Sequence, residues 1–350
     1  MADLTTHLGR LTLKNPLIAA PAEHMIHDGG VRAAIAAGAG AVVVKSTNES
    51  TAARAQLCAA EYVALNDRWE VVDWGPQADP ATMILSRSGL HPLSFDAWLA
   101  ACVEQDRAAR DADCLLVPSL ILADLDQAVQ MARAVQQAGF RVLEFNIGTP
   151  YAREAAPGAV STETAADRVA LLTRTICAAV DIPVWIKLTG QTSDVPDLAR
   201  AARDAGAEAV IVAGRLLGLL PDLETQAPVI GTSGGFGGFW NLPLTCHWLA
   251  LCRAALGPGP NLIGINGITN GPDVARALLA GASAVGMASA VMLRGFGVIG
   301  DSLDWLDGYC TRKECSVAQL VGRAADARRT FADMPDLDAH WTRFVPPEST

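Results

Sequence analysis

A chain of 350 residues that is 51% hydrophobic and 18% charged can bury a large core, which excludes a disordered or low-complexity protein. A formal net charge of −10 without any basic run argues against nucleic acid or an anionic membrane surface as the main partner. Eight scattered cysteines form no CxxC pair, and Cys310 and Cys315 lack companions, so neither a metal site nor a disulfide framework is expected.

In chain order, short apolar runs alternate with alanine-rich amphipathic segments. Met1 to Arg10 has no signal-peptide pattern, and no apolar stretch approaches ~20 residues, so a cytoplasmic protein with no membrane partner is expected. Strands are expected at Leu17–Ala20, Ala41–Val44, Cys114–Val117, Val142–Asn146, Pro183–Leu188, Ala209–Val212, Leu262–Ile265 and Ala284–Met287. Helices are expected at Gly30–Ala37, Ser94–Ala109, Asp124–Ala138, Thr164–Val180, Pro196–Ala205, Leu244–Leu256 and Pro272–Leu279. Continuously apolar strands are buried on both faces, as in a parallel sheet. Eight such units predict an α/β fold of the (β/α)8 TIM-barrel type.

Two connections are too long for plain barrel loops. Thr47 to Asp113 is read as a helix plus an irregular excursion, and Ala213 to Pro243 as a glycine-rich, lid-like loop. The expected organisation is one domain over 1–334, with an insertion at about 51–95 and a lid at about 213–243, then a C-terminal tail over 335–350. Tyr62, Trp69 and Trp74 in the insertion favour an interface, and a homodimer is expected.

A barrel of this kind does its chemistry at the C-terminal ends of its strands. That face collects Ala20-Pro21, Lys45-Ser46, Asn146, Lys187, Ala213-Gly214, Asn266-Gly267 and Ala288-Ser289. Two lysines and an asparagine at strand ends are costly unless they meet a polar ligand. The small-residue turns after strands seven and eight allow backbone N–H groups to approach a phosphate. The stretch Glu144 to Tyr151 is the most informative. An apolar strand ends on Asn146 and opens into a Gly-Thr-Pro turn carrying the Thr149 hydroxyl. Its plain alternative is an ordinary strand-to-loop corner capped by Asn146.

From Leu8 to Arg328 the chain resembles the dihydroorotate dehydrogenase family of FMN-dependent barrels, as a divergent, class 1-like member. The resemblance is carried by Leu13-Lys14-Asn15-Pro16, by Gly38 to Ser46, by Glu144 to Pro150 and by Pro183 to Leu188. Gly234 to Gly238 with Pro243, Ile263 to Ile268 and Gly281 to Val285 complete it. It implies a flavin lined by Ala20, Pro21, Lys45, Ser46, Asn146, Lys187 and Gly214. Lys187 stands near the ring end that becomes anionic on reduction, Gly237 and Gly238 approach the ring closely, and Asn266, Gly267, Ala288 and Ser289 hold the phosphate. Asn266 stands where the family often has glycine, a change that requires a φ/ψ that Asn tolerates.

The resemblance also implies that Thr149, with Lys45 and Asn146, serves catalysis, since the family's proton-abstracting Cys or Ser falls on Thr149. Its hydroxyl stays protonated at neutral pH and acts only as a relay. For substrate, Ser86, Arg87, Gly89 and Leu90 lie in a segment like the family's substrate loop. Tyr151 and Ala213-Gly214 replace asparagine and an asparagine–hydroxyl pair. Each buried polar group left unpaired costs ~1–3 kcal/mol, so the resemblance implies redox chemistry on a small dihydro or unsaturated compound other than orotate. Arg87, Arg153 and Arg215 are candidates for a carboxylate on it, and His24 for a contact that titrates near neutrality. A soluble electron donor or acceptor is expected. Alternatives are authentic dihydroorotate oxidation, a flavin-dependent tRNA dihydrouridine synthase, whose motif Asn146 to Pro150 also resembles, and a non-catalytic ligand-binding barrel. Acidic charge weighs against the RNA reading.

Overall fold

A computed structural model describes residues 2–257 and 261–346. The barrel strands are β1 Leu17–Ala19, β2 Ala41–Val43, β3 in two parts (Leu115–Val117 and Ser119–Ile121), β4 Leu143–Asn146, β5 Val184–Lys187, β6 Ala209–Val212, β7 Leu262–Ile265 and β8 Ala284–Met287. All neighbouring pairs are parallel, and β8 pairs with β1. Pro118, which has no N–H to give a ladder, splits β3. Its first part pairs with β2 and its second with β4, so the ring closes as a (β/α)8 barrel. Each of the eight expected strands is present, and the expected helices run at Asp28–Ala36, Phe95–Asp111, Leu125–Gln137, Ala166–Ala179, Val195–Asp204, Leu242–Leu256 and Gly271–Leu279. Ser94, Asp124 and Asn270 cap three of them with side-chain oxygens.

Strand side chains alternate between two cores. One lies between sheet and helices and includes Leu17, Val42, Leu116, Phe145 and Ile186. The other fills the barrel interior with Ile18, Val43, Val117, Trp185, Ile211 and Ile263. A hairpin that the sequence reading did not include, Thr6–Leu8 with Leu11–Leu13, sends Leu8 and Leu13 into this interior core. Its strands are three residues each, too short for periodicity to reveal.

The excursion after β2 is an ordered sheet rather than irregular. Glu61–Leu65, Val71–Val72 and Met83–Arg87 pair antiparallel, and Gly234–Gly237 and Leu216–Gly218 from the connection after β6 complete five strands. The two long connections therefore form one lid. Its aromatics are not simply exposed as expected. Tyr62 turns inward to line a cleft, whereas Trp69 and Trp74 are exposed at 51% and 42%, Trp74 donating to the Met292 carbonyl at 3.1 Å. Towards the C-terminus Phe331, Leu337, Trp341 and Phe344 are exposed. Residues 347–350 of the expected tail lie outside the described residues.

Candidate active site

A cleft of about 1080 Å³ opens between the C-terminal strand ends and the lid. Asn146 and Lys187 are register partners on β4 and β5, so their side chains emerge side by side into it. One layer below, Glu144 and Trp185 are paired in the same way. The Lys187 ammonium lies 3.9 Å from the Glu144 carboxylate, which is 1% exposed and accepts from the Ser119 hydroxyl at 2.7 Å. Ser46 joins this chain, its hydroxyl 2.7 Å from that of Ser119. Asn146 serves both readings of its position. Its Oδ1 accepts from the Gly148 N–H at 3.0 Å, as a turn cap does, while its amide stands on the cleft wall.

Lys45 is pinned by an interaction that the sequence reading missed. Glu23 accepts from its ammonium at 2.9 Å and from the Tyr62 hydroxyl. Burial would raise the Glu23 carboxyl, but Lys45, the Tyr62 hydroxyl and Arg215 together hold it below the usual carboxylate range. Burial and the Glu23 charge push the Tyr62 phenol well up, against the pull of Arg215. On the same side Arg215 donates to Ser86 at 2.5 Å and Ser88 at 3.3 Å, and the Tyr151 hydroxyl lies 3.1 Å from Ser88. Arg215, three positions past the strand that ends at Val212, and Tyr62 in the insertion were the available signals for this network.

All the expected flavin-lining residues stand on the cleft wall except Gly238. A Cβ on Gly238 would meet Met83 of the lid at about 3 Å, so that glycine serves lid packing. Of the expected substrate residues, Gly89, Leu90 and Tyr151 line the cleft. Ser86 is fully buried behind it and steadies Arg215. Arg87 turns away, donating to the Ala59 and Ile230 carbonyls and pairing with Glu61 at 2.7 Å, so it fastens the lid. Thr149 lines the cleft with a buried hydroxyl that has no partner among the described residues.

His24 is also misplaced by the sequence reading. In the 3-10 turn Glu23–Met25, successive side chains point in different directions, so Glu23 faces the cleft and His24 packs on Phe296, ring centroids 5.8 Å apart. Both its ring nitrogens are buried without partners among the described residues, and burial lowers its pKa to about 4, with Glu23 opposing and Lys45 assisting. It therefore stays neutral at pH 7. A base whose folded pKa is depressed contributes stability above its unfolded pKa, lost as pH falls towards the folded value. Between pH 7 and pH 5 the wild type should lose roughly 2 kcal/mol that a His24→Phe variant keeps, read by urea unfolding at both pH values. Equal losses would show that His24 is solvated.

The far end of the cleft is built from backbone. Asn266 has φ 71° and Gly267 φ 86°, so the turn after β7 adopts the left-handed conformation that Asn tolerates. Thr245 fastens it by donating to the Ile265 and Asn266 carbonyls, and Asn241 donates to Thr245. Ala288 and Ser289 begin the next helix beside it. The groups present fit a flavin mononucleotide. Ala20, Gly214, Gly237 and Gly286 leave a flat floor, and a Cβ on Gly237 would come within 2.7 Å of Asn266 Oδ1. The Lys187 ammonium stands at one wall of the cleft, and the Asn266-Gly267 turn on its wall offers backbone that suits a phosphate.

A family model described as dihydroorotate dehydrogenase matches residues 71–305. The catalytic subunit of dihydroorotate dehydrogenase B (NAD(+)) from Methanocella arvoryzae is 26% identical over 322 residues, covering 92% of this chain and 97% of that protein. Its counterpart from Methanosarcina mazei is 27% identical over 242 residues, 69% of this chain and 74% of the relative. Dihydroorotate dehydrogenase A (fumarate) from Lactobacillus helveticus is 32% identical over 167 residues, 47% of this chain and 53% of the relative. With well over half of its length matched and a closed barrel beneath the cleft, the chain belongs to the dihydroorotate dehydrogenase family as a divergent, FMN-dependent oxidoreductase acting on CH–CH groups.

Proposed function

We propose that this enzyme carries out the family's redox chemistry on a small dihydro or unsaturated compound other than orotate. The observation that carries this reading is the division of the cleft. Asn146 and Lys187 emerge side by side at the strand ends with Gly214 and Gly237 on the same cleft wall, while Lys45 is tied through Glu23 to Tyr62, next to the network of Arg215, Ser88 and Tyr151. An imide-bearing ring needs paired donors and acceptors along its edges. Here Glu23 is engaged by Lys45 and Tyr62, Ser88 by Tyr151 and Arg215, and the Asn146 carbonyl by Gly148. Leaving each such group unmatched costs ~1–3 kcal/mol.

Bound FMN supplies a reversible hydride acceptor. In this reading Ala20, Pro21, Lys45, Ser46, Asn146, Lys187, Gly214 and Gly237 line its ring, and Asn266, Gly267, Ala288 and Ser289 hold its phosphate. Lys187 would hold a positive charge beside the ring, where a cation favours the reduced, anionic form. The lid strand Met83–Arg87 and Leu90 shield the substrate from water, and Thr149 presents its unpartnered hydroxyl to the carbon that gains or loses a proton. Residues 1–334 form the catalytic unit, and a soluble partner exchanges its electrons.

Thr149→Ala should slow flavin reduction by the enzyme's substrate about 10²-fold, with flavin content unchanged, measured by anaerobic stopped-flow. Unchanged kinetics would remove Thr149 from the proton path. The reading as a whole is tested by the visible spectrum: the purified or FMN-reconstituted protein should hold one flavin per chain. Failure to take up FMN would end it.

The second reading is dihydroorotate oxidation itself. It is favoured by the relatives, whose names are those of dihydroorotate dehydrogenases, one of them matched over 97% of its length.

A further inference from the structure

We propose that Arg215 is the anion-binding residue of the substrate half of the cleft, and that the substrate is a small carboxylate held through its guanidinium. The proposal rests on the reading of the cleft as a flavin oxidoreductase site, and what it adds is the residue that reads the substrate's charge.

The arginine is held in a place made for it. The chain leaves β6 through Ala213, which is buried with φ 48°, a conformation that only a constrained non-glycine residue keeps. That turn delivers Arg215 under the lid. Two serines of the strand and loop Met83–Ser88 accept from its Nη1 and Nη2. A Cβ on Gly235 would sit about 3 Å from the guanidinium, so glycine is what makes room for its plane. The Tyr151 ring lies 5.9 Å from the guanidinium carbon.

None of these neighbours neutralises it. Among the described residues no carboxylate comes within 4 Å of Arg215, whereas Lys45 has Glu23 at 2.9 Å and Arg87 has Glu61 at 2.7 Å. Glu23 acts on Arg215 only from farther away and is already engaged by Lys45 and Tyr62. A charge removed from water without a counter-ion is costly, and a guanidinium with N–H groups to spare suits an oxyanion. Serine and tyrosine orient the charge while leaving it available. A neutral amide in the same place would leave it uncompensated. Arg215 is thus a specificity-determining residue, and Lys45, which shares the cleft with it and is paired with Glu23, is less free to take that role.

The test uses the FMN-loaded protein, titrated with benzoate and propionate and with their amides, benzamide and propionamide. Perturbation of the flavin absorbance and the heat of binding are followed together. The carboxylates should bind at least tenfold more tightly than the amides. Arg215→Gln should abolish that preference with flavin content unchanged, and Arg215→Lys should recover part of it. Amides that bind as well as acids would overturn the proposal, as would an Arg215→Gln variant that keeps the preference or a wild type that binds no carboxylate at millimolar concentration. If the protein takes up no FMN, the flavin reading fails separately, because calorimetry still compares acids with amides.

Discussion

Replacing Lys187 with methionine should lower the midpoint potential of the bound flavin by on the order of 60 mV. That corresponds to a hundredfold weaker preference for the reduced form at ~30 mV per tenfold for two electrons. The side chain is nearly buried, 14% exposed, and its register partner Asn146 holds the same level of the barrel mouth. The same substitution removes the cation above Glu144, which then keeps only the Ser119 hydroxyl. Breaking a buried charge pair costs about 3 kcal/mol or more, reduced here because the pair is 3.9 Å apart. A Lys187→Met/Glu144→Gln double variant separates the two effects. It should regain the stability, read by urea unfolding, and keep the lowered potential. A single variant with an unshifted potential would place Lys187 away from the flavin's reducible end.

Gly148→Ala should be among the most damaging one-carbon changes in the site. Its Cβ would stand 2.2 Å from both the Leu188 carbonyl carbon and the Thr189 nitrogen. Both are backbone atoms leaving β5, so no side-chain rotation relieves the contact. The loop after β4 and the loop after β5 must separate, and that moves Asn146, Thr149 and Lys187 relative to one another. Overpacking of this kind costs about 1–3 kcal/mol, with more where backbone must shift. The Asn146 cap on the Gly148 N–H would also be strained. Melting temperature and flavin content should fall together. A variant with normal flavin content and stability would show that these two loops are loosely apposed.

The barrel was legible because its strands are buried on both faces. Runs such as Ala209–Val212 and Leu262–Ile265 have no solvent side to interrupt them with polar residues. The strand-end wall of the cleft was legible for a related reason: lysine and asparagine are conspicuous at the ends of apolar strands. The Asn266 turn met its geometric condition, a positive φ. The lid was not legible. Met83–Arg87 pairs with Gly234–Gly237 across about 150 residues, and four residues that include three glycines carry no strand pattern of their own.

The substrate wall was half legible. Arg215 stood among three candidate arginines, but only pairing in space distinguishes it from Arg87, whose donors are spent on the lid. Arg153 is exposed and does not line the cleft. Glu23 and His24 differ by one position, and a 3-10 turn decides which of them faces the cleft. Sequence periodicity cannot resolve a three-residue turn.

The central claim, flavin chemistry kept and substrate changed, is tested most directly by mixing the oxidised FMN-loaded enzyme anaerobically with excess dihydroorotate and following the flavin absorbance. The oxidised spectrum should persist, while dithionite bleaches the same sample. Bleaching by dihydroorotate on the time scale of turnover would contradict the account and make the enzyme a dihydroorotate dehydrogenase with an altered pocket.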